Sequence, residues 1–217
     1  MLSNDTPEPI AQLSEAWFAI RRGKVTASRV ADMMATTKTG YGASRAGLMA
    51  ELIAERLTGK STERFQTDAM KWGVEKEADA KDAYTFFCDA SVQPGDFALH
   101  PTIPDAGASP DGYIGTDGLI EIKCPQTNTH IDTLLSGSVQ GRYVTQIQFQ
   151  LACTGRQWCD FVSFDPRMPA RMQLFVKRIQ RSANEIAYLE KETKAFLNEM
   201  YAKLASLEQL YGKAAAA

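Results

Sequence analysis

Asp111, Glu121 and Lys123 are the residues whose types and spacing suggest chemistry. Asp111 stands in the turn Ser109-Pro110-Asp111-Gly112, and a little further on comes the apolar run Leu119-Ile120-Glu121-Ile122-Lys123-Cys124-Pro125. In a strand, side chains two apart share a face, so Glu121 and Lys123 are presented together while Ile120 and Ile122 turn the other way. If Gly115-Thr116-Asp117-Gly118 is a hairpin loop, the chain returns Glu121 to the neighbourhood of Asp111. Two carboxylates converging on one point repel each other unless a cation lies between them, and an oxygen-only set suits Mg²⁺ or Mn²⁺. A lysine beside such a cation could hold or deprotonate an attacking water, or neutralise a phosphoryl oxygen. That is equipment for phosphodiester hydrolysis. Taken alone, the same residues also fit a solvated cross-strand ion pair and a routine Pro-Asp-Gly turn.

The flanking patterns indicate which elements would position them. Up to about Asp89 they are mostly helical: Ser14 opens a short helix, Thr26-Ala27-Ser28 can cap another, and Ala43 to Leu57 has helical spacing until Gly59. Thr67 or Asp68 could cap a longer helix through Phe87. From Val92 to Lys123 the signals are strands and turns, punctuated by Pro94-Gly95, Pro101, Pro104, Pro110 and Gly112. A helix near Asp132 to Leu135 and another from Tyr143 to Ala152 follow. Phe161 to Phe164 and Met172 to Val176 read as strands joined at Asp165-Pro166. Ala183 to Tyr211 is a long amphipathic helix, with Ala214 to Ala217 as a frayed end. With no repeat and no linker, the expectation is one α/β domain over residues 1–217. A small mixed sheet is flanked by helices, with a helical N-terminal part and a long C-terminal helix.

Composition narrows the function classes. The 217 residues are 44% hydrophobic, enough for one sizeable core. A formal charge of −2 argues against a protein that coats DNA with its whole surface, so any nucleic acid must meet a local patch or a lined channel. Cys88, Cys124, Cys153 and Cys159 show no C-x-x-C spacing and only His100 and His130 could join them, which disfavours structural zinc. No apolar run approaches a membrane span, and Met1-Leu2-Ser3-Asn4-Asp5 lacks the regions of a signal peptide. The expectation is a soluble protein of a reducing cytoplasm, its cysteines free thiols.

The full string, Ser109-Pro110-Asp111-Gly112 with nine residues between Asp111 and Glu121, then Glu121-Ile122-Lys123-Cys124-Pro125, is more specific than its parts. It resembles the phage lambda exonuclease or YqaJ-like viral recombinase family of the PD-(D/E)XK nuclease superfamily. Three other stretches resemble it too. Trp17 to Ser28 has the W-x-x-x-R-x-G-x-x-T-A-S pattern, Trp72-Gly73-Val74-Glu75-Lys76-Glu77 the W-G-x-x-x-E helix, and Tyr143 to Gln148 the Q-x-Q helix. They run in the family's order from Trp17 to about Asp165.

The resemblance implies a PD-(D/E)XK core and a role for each matching residue. Asp111, Glu121 and the Ile122 backbone carbonyl would bind metal, Lys123 would be the catalytic lysine, and Glu77 would help hold a second metal or the water. Gln146 would line the active site, with a solvated helix glutamine as the alternative. Arg21 and Ser28 would bind a 5′-terminal phosphate, and a guanidinium and hydroxyl suit that anion. Arg21, Arg22, Lys24 and Arg29 also form a local cationic run, although Ser28 could merely cap a helix and the run be solvated surface. Asp105 is left out of the catalytic set, and Trp17, Trp72 and Trp158 are expected in the core.

The activity so implied is a Mg²⁺-dependent 5′-to-3′ exonuclease on double-stranded DNA, with Mn²⁺ as a substitute metal. It would release mononucleotides and leave 3′ overhangs. A homotrimeric ring at DNA ends, a single-strand annealing partner, no membrane association and a phage or prophage origin in a bacterial cytoplasm complete the picture. The competing classes are an endonuclease of the same superfamily and a non-catalytic DNA-end-binding scaffold.

Overall fold

The computed structural model describes residues 14–38, 40–62 and 67–212, with the side chain of Met70 excluded. The expectations for Met1 to Asp5 and for Ala214 to Ala217 lie outside them. The helices are α1 (Glu15–Arg21), α2 (Val30–Met33), α3 (Ala43–Thr58), α4 (Asp68–Cys88), α5 (Thr127–Ser136), α6 (Gly141–Thr154) and α7 (Ala183–Tyr211). The strands are β1 (Val25–Thr26), β2 (Thr36–Thr37), β3 (Gly40–Tyr41), β4 (Val92–Pro94), β5 (Ala98–Leu99), β6 (Ala106–Ala108), β7 (Gly112–Ile114), β8 (Gly118–Lys123), β9 (Trp158–Phe164) and β10 (Leu174–Gln180).

The main sheet is mixed, in the order β10-β9-β8-β7-β4. Its inner strand β8 runs parallel to β9 and antiparallel to β7, the hairpin register pairing Gly112 with Ile120 and Ile114 with Gly118. Gly115 turns this hairpin at φ +51, a backbone angle that favours glycine. The alternation of β8 settles its two faces. Ile120 and Ile122 pack with Ile114, Val162 and Phe164 against Ala80 and Tyr84 of α4. Leu119 packs with Cys159 and Phe161 against Ile147 and Leu151 of α6 and Ile186 of α7. A further core joins β1, α2 and α3 to Phe149 of α6 and Phe196, Leu197 and Met200 of α7. Helix α6 is therefore covered on more than one side, and every residue from Ile147 to Cys153 is buried.

A second sheet, β1-β6-β5, lies where the site is assembled. Val25 pairs with Ala106 and Thr26 with Gly107 in parallel register. This brings the end of α1 alongside the segment that leads from β6 into Ser109-Pro110-Asp111.

Helices α3 and α6 end where Gly59 and Gly155 adopt left-handed conformations, and α7 has the expected bounds. Other boundaries differ. Met172 belongs to a single 3-10 turn, Ala170–Met172, rather than to β10. Helix α5 begins earlier than expected, at Thr127. Neither Thr26 nor Ser28 caps a helix with its side chain. Their hydroxyls instead face each other at 3.4 Å beside the one-turn 3-10 segment Ala27–Arg29. The two-residue strands β1, β2 and β3 are too short to carry a period that sequence could show.

Candidate active site

Strand β8 presents Glu121 and Lys123 on the α6 side, as its alternation requires. Glu121 is 1% exposed, so its carboxylate is held by protein groups instead of water. Its Oε1 accepts from the Gln146 amide at 2.7 Å and pairs with the Lys123 ammonium, while its Oε2 accepts from the Gln150 amide at 2.6 Å. Asp111 reaches the same strand through its Oδ2, which accepts the Ile122 backbone N–H at 2.6 Å. That bond fixes the turn before β7 against β8, one residue from Glu121 and one from Lys123.

The charges are strongly coupled. Burial, reinforced by the negative charge of Glu121, pushes the Asp111 carboxyl well above its ordinary 3.8, with Lys123 and the Ile122 N–H opposing the shift. For Lys123, burial alone would lower the ammonium, but Glu121 and Asp111 more than offset it and keep the side chain protonated. The neighbouring Cys124 thiol is pushed up to about 12 by burial, with the charges of Glu77 and Asp111 adding to the effect. It is an uncharged packing group.

Glu77 stands on α4 near enough to raise Asp111, yet its Oε1 accepts from Lys81 at 2.7 Å, one helical turn away. Among the described residues, no three His, Cys, Asp or Glu side chains gather as a ready metal cage. What the site offers is two mutually repelling carboxylates with oxygen donors only. That set fits a hard divalent cation, because such an ion would relieve the repulsion that raises Asp111. The Ile122 amide is placed by Asp111, and its carbonyl is the oxygen the sequence resemblance points to.

Arg21 does not lie apart from this centre. Its NH1 donates to the Ser109 hydroxyl at 2.8 Å, and Trp17 Nε1 donates to the same oxygen at 3.2 Å. The guanidinium lies 3.9 Å from the Trp17 ring centre and, among the described residues, forms no ion pair. Burial lowers it to about 10, with Glu55 opposing, so it remains cationic at neutral pH. Ser28 is exposed, and its hydroxyl meets Thr26 without touching Arg21. The cationic run is more divided than its sequence suggests: Arg29 is spent on Asp32 and Glu51, whereas the Arg22 guanidinium donates to the Ser61 hydroxyl.

Several site residues are not evident from motif order. Ser109 lies within the Ser-Pro-Asp-Gly string, but its contact with Arg21 follows from the pairing of β1 with β6. Gln150 is four residues beyond Gln146 and thus on the same helix face, a spacing that could have identified it. Gln148 points elsewhere, donating to the Gln180 carbonyl and accepting the Ser182 N–H. Trp17 is half-buried at the Arg21 site. Trp72 and Trp158 pack at the edge of the core, each under an arginine, Arg167 and Arg178 respectively. Asp105 serves the frame: it binds Arg56 at 2.8 Å and accepts from the Tyr201 hydroxyl.

An acid on a turn and a Glu-x-Lys pair on an inner strand, set in a mixed sheet flanked by helices, define a nuclease of the PD-(D/E)XK class. The YqaJ-like viral recombinase domain matches residues 16–157, and the chain belongs to that family. It is also similar to an alkaline exonuclease from Laribacter hongkongensis, at 50% identity over 93% of this chain and 100% of that one, with a TM-score of 0.87. A second structure of that enzyme, in complex with dAMP, gives the same figures. A phage-related exonuclease from Haemophilus somnus shares the fold at 16% identity, covering 84% of this chain and 95% of that one, with a TM-score of 0.68. No curated protein matches the chain.

Proposed function

We propose that the chain is a Mg²⁺-dependent exonuclease that degrades the 5′-ended strand of double-stranded DNA. It would release mononucleotides and leave 3′ overhangs for recombination by strand annealing. The observation that carries this reading is the union of two sites: Arg21, a cation without a carboxylate partner among the described residues, rests on Ser109, two residues from Asp111. An anion held there lies beside the hydrolytic residues, as a terminal phosphate must if the bond next to it is to be cut. The dAMP bound to the Laribacter enzyme has the chemistry expected of the product.

When bound, the divalent cation, with Mn²⁺ as a substitute, supplies a Lewis acid for water activation and for the leaving 3′ oxygen. Asp111, Glu121 and the Ile122 carbonyl would hold it, and Glu77, released from Lys81, would hold a second ion or the water. Lys123 keeps its proton and orients the attacking water or balances charge on the scissile phosphate. Gln146 donates to Glu121 from a half-buried position and would border the space where the phosphate enters. Arg21 and Ser109, with Ser28 completing the pocket, fix the polarity of digestion.

Further parts of the proposal concern the setting: one domain over residues 1–217, a homotrimeric ring around DNA, an annealing partner, and the cytoplasm of a bacterium carrying a phage or prophage. A ring would reconcile the net charge of −2 with DNA binding, since only its channel need be positive. A solution mass equal to one chain at working concentration would exclude it. The activity is tested with 5′-labelled linear duplex beside a closed circle, in Mg²⁺ or EDTA, for wild type and Lys123→Ala. The expected result is shortening of the linear DNA alone, only with metal and only by wild type. Cutting of the circle would replace the reading with an endonuclease, and no cutting of either with a binding module.

A further inference from the structure

Glu121 is held by three donors, an ammonium and two amides in different settings. Lys123 is a cation and Gln146 is half-buried, so both can exchange partners when substrate arrives. Gln150 differs from both: it is 1% exposed, lies one turn deeper along α6, and meets only the far oxygen, Glu121 Oε2. Its own Oε1 has no hydrogen-bond partner among the described residues, so its single bond to Glu121 sets the amide's orientation. The reverse orientation would place the amide oxygen against the carboxylate.

Resting on the metal-site reading above, we propose that Gln150 is a positioning residue for metal binding. It pins Glu121 Oε2 and thereby turns Oε1 toward Asp111, Lys123 and the incoming cation. A neutral amide suits this task, since it fixes the carboxylate without cancelling the charge the cation needs. Removing a partner that orients a metal ligand weakens metal affinity by about 10- to 100-fold.

Gln148 provides an internal control. It is a buried glutamine on the same helix, but its amide joins Gln180 to the start of α7 and makes no contact with Glu121. The experiment is calorimetric titration of EDTA-stripped protein with Mn²⁺, without DNA, for wild type, Gln150→Met, Gln148→Met and Asp111→Asn. The expected result is a loss of tenfold or more in Mn²⁺ affinity for Gln150→Met, with Gln148→Met close to wild type. Equal affinities for both methionine variants, alongside a loss for Asp111→Asn, would overturn the role of Gln150 alone. Unchanged affinity in Asp111→Asn would overturn the metal site itself. Should Gln150→Met fail to fold, Gln150→Asn keeps the amide but shortens its reach, and wild-type affinity in that variant would equally refute the inference.

Discussion

On the proposed function, Arg21 and Asp111 would illustrate two ways in which burial prepares a side chain for a ligand of opposite charge. Arg21 is stripped of much of its water and, among the described residues, given a hydroxyl and an indole face in place of a carboxylate. A charge-assisted hydrogen bond to phosphate contributes about 1.5–3 kcal/mol. Arg21→Ala should therefore reduce the preference for 5′-phosphorylated over 5′-hydroxyl ends by about 10- to 100-fold, measured as the ratio of initial rates on otherwise identical duplexes. Asp111 holds its proton above the ordinary 3.8 in the folded protein, so between that value and its raised one the native state binds more protons than the unfolded chain. Stability of the metal-free protein then falls as pH rises through that window. A divalent cation opposes this fall. The melting-temperature gap between Mg²⁺-loaded and EDTA-treated protein should widen as pH rises from the ordinary carboxylate value of 3.8 through the raised one, and Asp111→Asn should flatten it.

At the scale of elements, regular patterns were legible and short-range geometry was not. The alternation of β8 indicated which side chains share a face, and the amphipathic pattern of α7 its whole length, because burial of one face imposes a period on the sequence. The Glu121 and Lys123 pair was recoverable in the same way. The grip of Arg21 on Ser109 was not, since two-residue β1 and three-residue β6 leave no periodic trace. Helical spacing, by contrast, could have shown that Glu77 faces Lys81, four residues on, and that Gln148, two residues from Gln146, turns away from the site. One close approach that positions the acid is invisible in sequence: a Cβ on Gly95, just beyond β4, would overlap the backbone carbonyl of Pro110. Because backbone must move to admit it, Gly95→Ala should cost about 1–3 kcal/mol in chemical denaturation and displace Asp111, lowering cleavage more than duplex binding.

For the molecule as a whole, α7 closes the fold and Asp105 is its clasp. Asp105 joins Arg56 of α3 to Tyr201 of α7, and its backbone carbonyl accepts the Val25 N–H at 2.9 Å. Asp105→Ala should lower stability by about 1–3 kcal/mol, read from denaturant midpoints, while retaining cleavage well below the melting transition. Loss of cleavage with unchanged stability would instead place Asp105 in the chemistry.

Ser109 and Asp111 are separated by Pro110 alone. Two residues of extended chain reach about 7 Å, and the proline ring restricts how far that length can vary. On the proposed function, with a terminal phosphate at Ser109 and the cut at Asp111, this short stiff span would act as a ruler. The fragment released would then be measured by the protein's own covalent geometry, and the stride along DNA would become the length of one rigid turn.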